Sequence, residues 1–373
     1  MKDQLTAMAA QIENEFADLE AVLMEVCGTH THAIRKAGIH QMLPNKIKLL
    51  SGPGCPVCVT GSGYLEQAIL LSQTPGMMVA TFGDLLKVPG NSGTLSTARA
   101  SGGQIKIVYS PLDAVDLAAA YPDQEIIFLG VGFETTAPVI ALAVQEAALR
   151  KIGNFSILPA LKVLRPALEV LLSSGDLKIN GLIAPGHLSV ILGADAFNYV
   201  VEAYHLPTVI TGFRPAELWL GIAQLLKQLK AEEAKLFNAY PQAVTSHGNL
   251  PAQKLINEIF VVEDAQWRGL GVVKASGLGL ADVYRKFDAR FRFGLKLIPS
   301  LEPAGCLCGE ILLGKLTPTE CIHFGKACQP EHPIGPCMVA SEGTCAAQYH
   351  YRELTPRLGR TSFDFPVKEF RPL

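Results

Sequence analysis

Nine cysteines stand in this chain of 373 residues, and they are unevenly placed. Cys27, Cys55 and Cys58 fall near the start; Cys306, Cys308, Cys321, Cys328, Cys337 and Cys345 fall near the end; none lies between. Two separate pieces of sulfur chemistry follow. An odd number excludes complete disulfide pairing. In a reducing compartment such groups are more often metal ligands or reactive thiols than structural cross-links.

The first piece opens with Cys27-Gly28-Thr29-His30-Thr31-His32, expected after a strand and before a short helix ended by Gly38. A cysteine at a helix N-terminus near histidines is expected to have a lowered pKa and to favour the thiolate. His30 and His32 could then serve as ligand, proton donor or hydrogen-bond partner. The competing reading is a buried cysteine with Thr29 or Thr31 capping the helix. Next comes Cys55-Pro56-Val57-Cys58. A CxxC after a strand is either a thiol–disulfide pair or half of a four-thiolate zinc site.

Gly130-Val-Gly-Phe-Glu-Thr-Thr136 begins like a dinucleotide fingerprint, but Thr135 stands where the third glycine belongs, and no Walker A sequence occurs. Glu134, at a strand end, could bond a ligand or a neighbour of a reactive thiol. The competing reading is a capped strand-to-helix turn. The tail has Cys321-x6-Cys328-x8-Cys337-x7-Cys345, with Pro330, Pro333, Gly335 and Pro336 between them. Four thiolates without an interleaved histidine pair suit an iron–sulfur cluster or structural zinc, and the wide spacings lean toward a [4Fe–4S] cube. Cys306-x-Cys308 lies nearby as an alternative or additional pair.

These residues need elements to hold them. Short apolar runs at 22–26, 47–51, 77–82, 105–109, 126–131, 155–160, 181–184 and 207–211 alternate with helical stretches at 62–73, 112–120, 137–150, 163–173, 189–203 and 215–230. Alternation of this kind predicts βαβ units and parallel sheets. An amphipathic helix is expected over 4–20. The expected division is an N-terminal helix and first strand (1–30) packing with the C-terminal domain, an α/β domain with the CxxC (31–152), a second α/β domain (153–235) and a cysteine-rich domain (236–373). Segment 241–252 reads as a linker. In open parallel sheets ligands gather at the carboxyl ends of the strands. The loops at 27–32, 52–58, 83–84, 130–136, 185–187 and 211–214 all fall there, which predicts a shared cleft.

Composition agrees with a folded, uncharged-cored protein. Charged residues make up 18%, apolar residues 49%, and the formal net charge is −2. Disorder is excluded, and nothing points to nucleic acid as a partner. No run reaches the ~20 apolar residues of a membrane span, and the acidic start is unlike a signal peptide, so a cytoplasmic location is expected.

Taken in order, CGTHTH (27–32), GPGCPVC (52–58), GFETT (132–136) and CIHFGKAC…PCMVASEGTC (321–345) resemble the HypD family of hydrogenase maturation factors across essentially the whole chain. The resemblance implies two Rossmann-like α/β domains plus an iron–sulfur domain. It implies a scaffold on which an iron atom receives two cyanides and one carbon monoxide, giving the Fe(CN)2CO precursor. The implied partners are a HypC-type small chaperone and a HypE-type cyanide donor, with the chain monomeric when free. Carried over by residue, Cys27 would hold the iron with a chaperone cysteine and His30 would lie beside it. Cys55 and Cys58 would be the redox pair, and Cys321, Cys328, Cys337 and Cys345 would hold a [4Fe–4S] cluster. The rival reading is a stand-alone thiol–disulfide oxidoreductase with structural zinc in the tail. A third is a small-molecule enzyme built around the Gly130 loop.

Overall fold

A computed structural model describes residues 2–352. Eleven strands form two sheets. The first contains β1 (Ala21–Glu25), β2 (Ile47–Ser51), β7 (Gly181–Pro185), β8 (Thr208–Thr211) and β9 (Leu236–Asn238), in the order β2-β1-β7-β8-β9. All its pairings are parallel. The second contains β3 (Met77–Thr81), β4 (Ile105–Ile107), β5 (Glu125–Gly132), β6 (Phe155–Lys162), β10 (Phe260–Trp267) and β11 (Gly271–Leu280), in the order β10-β11-β6-β5-β3-β4. Strands β3 to β6 pair in parallel, and the β10–β11 hairpin closes one edge antiparallel.

The central strands read as continuous apolar runs because helices cover both faces of each sheet. Every residue of β6 and all but the first of β5 are buried. On the outer face of the first sheet, Ile12, Phe16, Leu23, Trp219 and Leu225 share one core; on that of the second, Phe128, Ala141, Phe155 and Phe287 share another. A third core lies between the sheets and takes in Met24, Leu129, Leu158, Leu182, Cys55, Cys58, Cys308 and Cys337. The sulfur chemistry is therefore embedded in the hydrophobic interior that joins the two sheets.

The α/β class is as expected, but the sheets cut across the linear division. Strands β1 and β2 belong with β7 to β9, and β6 pairs with β5 and β11 rather than with β7 to β9. The hairpin 260–280, assigned by sequence to the cysteine-rich unit, completes the second sheet. Hydrophobic periodicity reports which segments are strands; it carries no information on which sheet a strand joins. The N-terminal helix Lys2–Phe16 packs on the helix Pro215–Lys230, while the helix Gly28–Lys36 meets Thr344–His350 of the tail. The stretch expected as one helix over 189–203 is interrupted at Gly193. Its φ of +90° and the backbone of Ser246–Gly248, 2.2 Å from where a Cβ would sit, leave room only for glycine. The linker expected at 241–252 runs into the helix Leu250–Ile259. Residues 353–373 of the expected cysteine-rich unit lie outside the described residues.

Candidate functional site

Two loops at the carboxyl ends of β1 and β2 bring the first sulfur group together. Glu25, the last residue of β1, is buried, and its carboxylate accepts the Cys27 N–H at 2.9 Å and the Thr31 hydroxyl. This turns the chain so that Cys27 caps the helix Gly28–Lys36. The neighbouring loop is tied on by Gly28 N–H donating to the Gly54 carbonyl at 3.2 Å. A Cβ at Gly54 would lie 2.2 Å from the Cys27 nitrogen. Gly54→Ala should therefore push the CxxC loop off Cys27. A destabilisation of ~1–3 kcal/mol is expected in denaturant unfolding, as for other overpacked sites, and an unchanged midpoint would show the loop to be slack.

Cys27 lines a cavity of about 240 Å³ with Gly54 and Pro56 of the CxxC loop, Phe133, Thr135 and Thr136 after β5, His187 after β7, and Glu342 from the tail. A cleft shared by loops from both sheets exists, but of the six loops expected there those at 83–84 and 211–214 do not line it. Glu342 accepts from the Thr29 hydroxyl at 2.5 Å, so the tail forms one wall. The His187 ring stacks on Phe213 at 3.9 Å. His187 is pushed toward its neutral form by burial, against the pull of Glu342.

Four expectations at this site are revised. The Cys27 thiol is not acidified: burial, and then the charges of Glu25 and Glu342, push its pKa up to about 12, although the Thr29 and His30 amides oppose this. A helix N-terminus is worth ~0.3–1 kcal/mol, less than the ~1.4 kcal/mol that moves a pKa by one, so burial wins. Neither threonine caps the helix; Thr29 serves Glu342 and Thr31 serves Glu25. His30 faces away from the cavity lining. It is fully buried, with Nε2 within 3.0–3.3 Å of the Thr211 hydroxyl and the Thr211 and Gly212 carbonyls, and burial lowers its pKa to about 4. Glu134 likewise stands behind the wall. Its Oε1 accepts the Leu164 N–H at 3.0 Å, and burial raises its pKa to about 7. It clamps the β5 loop to the helix Leu164–Ser173, while its neighbours Phe133 and Thr135 face the cavity.

Cys55 and Cys58 form a disulfide at the short helix Pro56–Val59, with Pro56 at its first position. The helix packs against the turn Pro336–Met338 and the helix Cys308–Leu312. The CxxC pair thus lies between the Cys27 cavity and the tail cysteines. All six of these line a second, small cavity with Ile311, Phe324 and Met338. Here Cys337 is bonded to Cys308 and presents no thiol. The thiols around the cavity are Cys306, Cys321, Cys328 and Cys345. Burial pushes the Cys345 thiol well up, and Cys328, Cys306 and Cys321 add to the effect; burial likewise raises Cys306. Among the described residues, no three His, Cys, Asp or Glu side chains stand ready to hold a single metal ion. The donor set nonetheless has the chemistry of a soft, multi-thiolate centre. The structure thus groups Cys306, and not Cys337, with the free thiols Cys321, Cys328 and Cys345. Cys306, fifteen residues before Cys321, was legible only as a nearby extra thiol.

These features define a two-sheet α/β protein organised around a buried thiol, a CxxC disulfide and a nest of thiols. Residues 3–352 match the HypD model, described as the hydrogenase formation hypA family. The chain belongs to this family of hydrogenase maturation factors. It is 42% identical to hydrogenase maturation factor HypD of Escherichia coli over 89% of both chains. It is 40% identical to that of Azotobacter vinelandii over 88% of this chain and 89% of that one, and 37% identical to that of Rhodobacter capsulatus over 93% of both. Among the described residues no helix is long and apolar enough to cross a membrane.

Proposed function

We propose that this maturation factor is a cytoplasmic scaffold and redox protein on which the Fe(CN)2CO precursor of a [NiFe] hydrogenase is assembled. The observation that carries the reading is the spatial sequence of sulfur: Cys27 on a cavity, the Cys55–Cys58 pair behind it, and the thiol nest behind that. Cys27 is the thiol that takes the precursor iron, together with a cysteine of a HypC-type chaperone docked over the cavity. Its high pKa in the free chain keeps it protonated until a metal cation arrives to displace the proton. Thr29 and Glu342 hold the opposite wall. Low-spin iron(II) carrying cyanide and carbonyl ligands suits a soft thiolate.

Cyanide from a HypE-type donor would arrive as a thiocyanate. Its release, R–S–CN + 2e⁻ → R–S⁻ + CN⁻, needs two electrons. Oxidation of the Cys55 and Cys58 thiols to a disulfide supplies two electrons and two protons. Cys55 and Cys58 are bonded to each other, which is the form such a pair takes after giving up its electrons. Cys306, Cys321, Cys328 and Cys345 would hold a [4Fe–4S] cluster, which supplies electrons one at a time. Their shared cavity and their standing as free thiols support that assignment.

Anaerobically purified chain should be brown with about four irons. Its complex with a HypC-type chaperone, isolated from cells making hydrogenase, should show cyanide and carbonyl stretches in the infrared. Colourless protein with one zinc and no such bands would favour the stand-alone oxidoreductase instead.

A further inference from the structure

The turn that closes the β10–β11 hairpin lies between the two sulfur sites, and Arg268 opens it. Its side chain is 1% exposed. Its backbone N–H donates to the Val59 carbonyl at 2.8 Å, and Nη2 donates to the Thr60 carbonyl at 3.2 Å. Those carbonyls end the short helix that carries Cys58. On the other side, Nη1 pairs with Glu302, four residues before Cys306. The next residue, Gly269, approaches Gly309 so closely that a Cβ would meet its carbonyl oxygen at 2.9 Å, and Gly309 follows Cys308. One residue therefore touches the frame of both sulfur groups.

Its charge is as telling as its position. A guanidinium stays protonated in a protein, and burying it is costly unless it is paired. The carboxylate opposite, Glu302, is 48% exposed, so water screens that partner while the cation stays inside. The Arg268 Nε–H is buried without an acceptor. The cation is thus fixed at the end of the short helix that carries Cys58, within hydrogen-bond reach of its last carbonyls.

We propose that Arg268 is a positioning residue that ties the helix carrying the Cys55–Cys58 pair to the segment leading into Cys306 and, through its fixed positive charge, favours electron uptake at the disulfide. The inference rests on the redox reading of Cys55 and Cys58 above. Two glutathione thiols reduce that disulfide in vitro, giving glutathione disulfide and a protein dithiol, which releases one proton when one of its sulfurs is a thiolate. A nearby cation stabilises the thiolate form of the product, so removing the cation favours the disulfide.

The test uses the whole chain equilibrated in glutathione buffers, then alkylated and read by mass spectrometry at Cys55 and Cys58. Arg268→Met should shift the disulfide-to-dithiol ratio severalfold toward disulfide at any given buffer. Arg268→Lys should stay close to the parent. Glu302→Gln, at a half-exposed side chain that can be changed without loss of the fold, leaves the guanidinium uncompensated and should shift the ratio the other way. A merely structural role gives no such opposition of sign. Parent-like ratios in both Arg268→Met and Glu302→Gln, or shifts of the same sign, overturn the proposal. If Arg268→Met does not fold, a Glu302→Gln ratio unmoved from the parent overturns it alone. A parent chain whose pair forms no disulfide in any buffer overturns the redox reading itself, and the inference with it.

Discussion

Cys27→Ala is expected to abolish maturation of the hydrogenase while leaving the fold and the thiol nest intact. The side chain is small, and its loss from a packed wall costs on the order of 1 kcal/mol, far less than a domain's stability. Its position is what cannot be replaced. Cys27 is the single free thiol lining the cleft cavity, and its backbone is pinned by Glu25 below and by the Gly54 loop beside it. On the proposed reading, the iron would then have no anchor on this chain. The infrared spectrum of the chaperone complex should then lack cyanide and carbonyl bands, while iron and sulfide content stay at the parent level. Normal bands in the variant would remove Cys27 as a ligand. Loss of both bands and cluster iron would instead mean that the two sulfur groups fold as one unit.

Cys306→Ala and Cys337→Ala are expected to have opposite consequences for bound iron. Sequence spacing favoured Cys337 as the fourth cluster ligand. The structure gives Cys337 to a disulfide with Cys308 and leaves Cys306 facing Cys321, Cys328 and Cys345. Three thiolates hold a cube poorly, and the free energy of metal binding is also folding free energy. Cys306→Ala should therefore lower iron from about four per chain to near zero and reduce the melting temperature. Cys337→Ala frees Cys308 and breaks a cross-link but leaves four thiols in place, so most of the iron should remain. Iron retained in Cys306→Ala and lost in Cys337→Ala would restore the ligand set drawn from the sequence.

Much of the fold was legible before any coordinates. Every strand expected up to residue 211 is present within about two residues, because buried parallel strands are uninterrupted apolar runs between turn signals. The cleft was legible too, since unusual residues at successive strand ends must meet if the strands are parallel. Cys27 and the CxxC loop do meet there. His30 and Glu134 sit in the same loops but point behind the wall. Motif membership places a residue in a loop; the rotation of that loop, set here by Glu25 and by the bond to Leu164, decides which side chains face the ligand.

By itself, the sequence determined the α/β class, the two groups of sulfur and the loops that carry them, because those depend on local periodicity and residue type. Tertiary structure alone decided which sheet each strand joined, that the tail supplies Glu342 to the Cys27 cavity, and which cysteines remain as thiols. It also decided the protonation of Cys27. Local sequence supplies a helix N-terminus that favours the thiolate, but the larger effect, desolvation, depends on everything packed around the sulfur, and the charge of Glu342, far along the chain, pushes the same way.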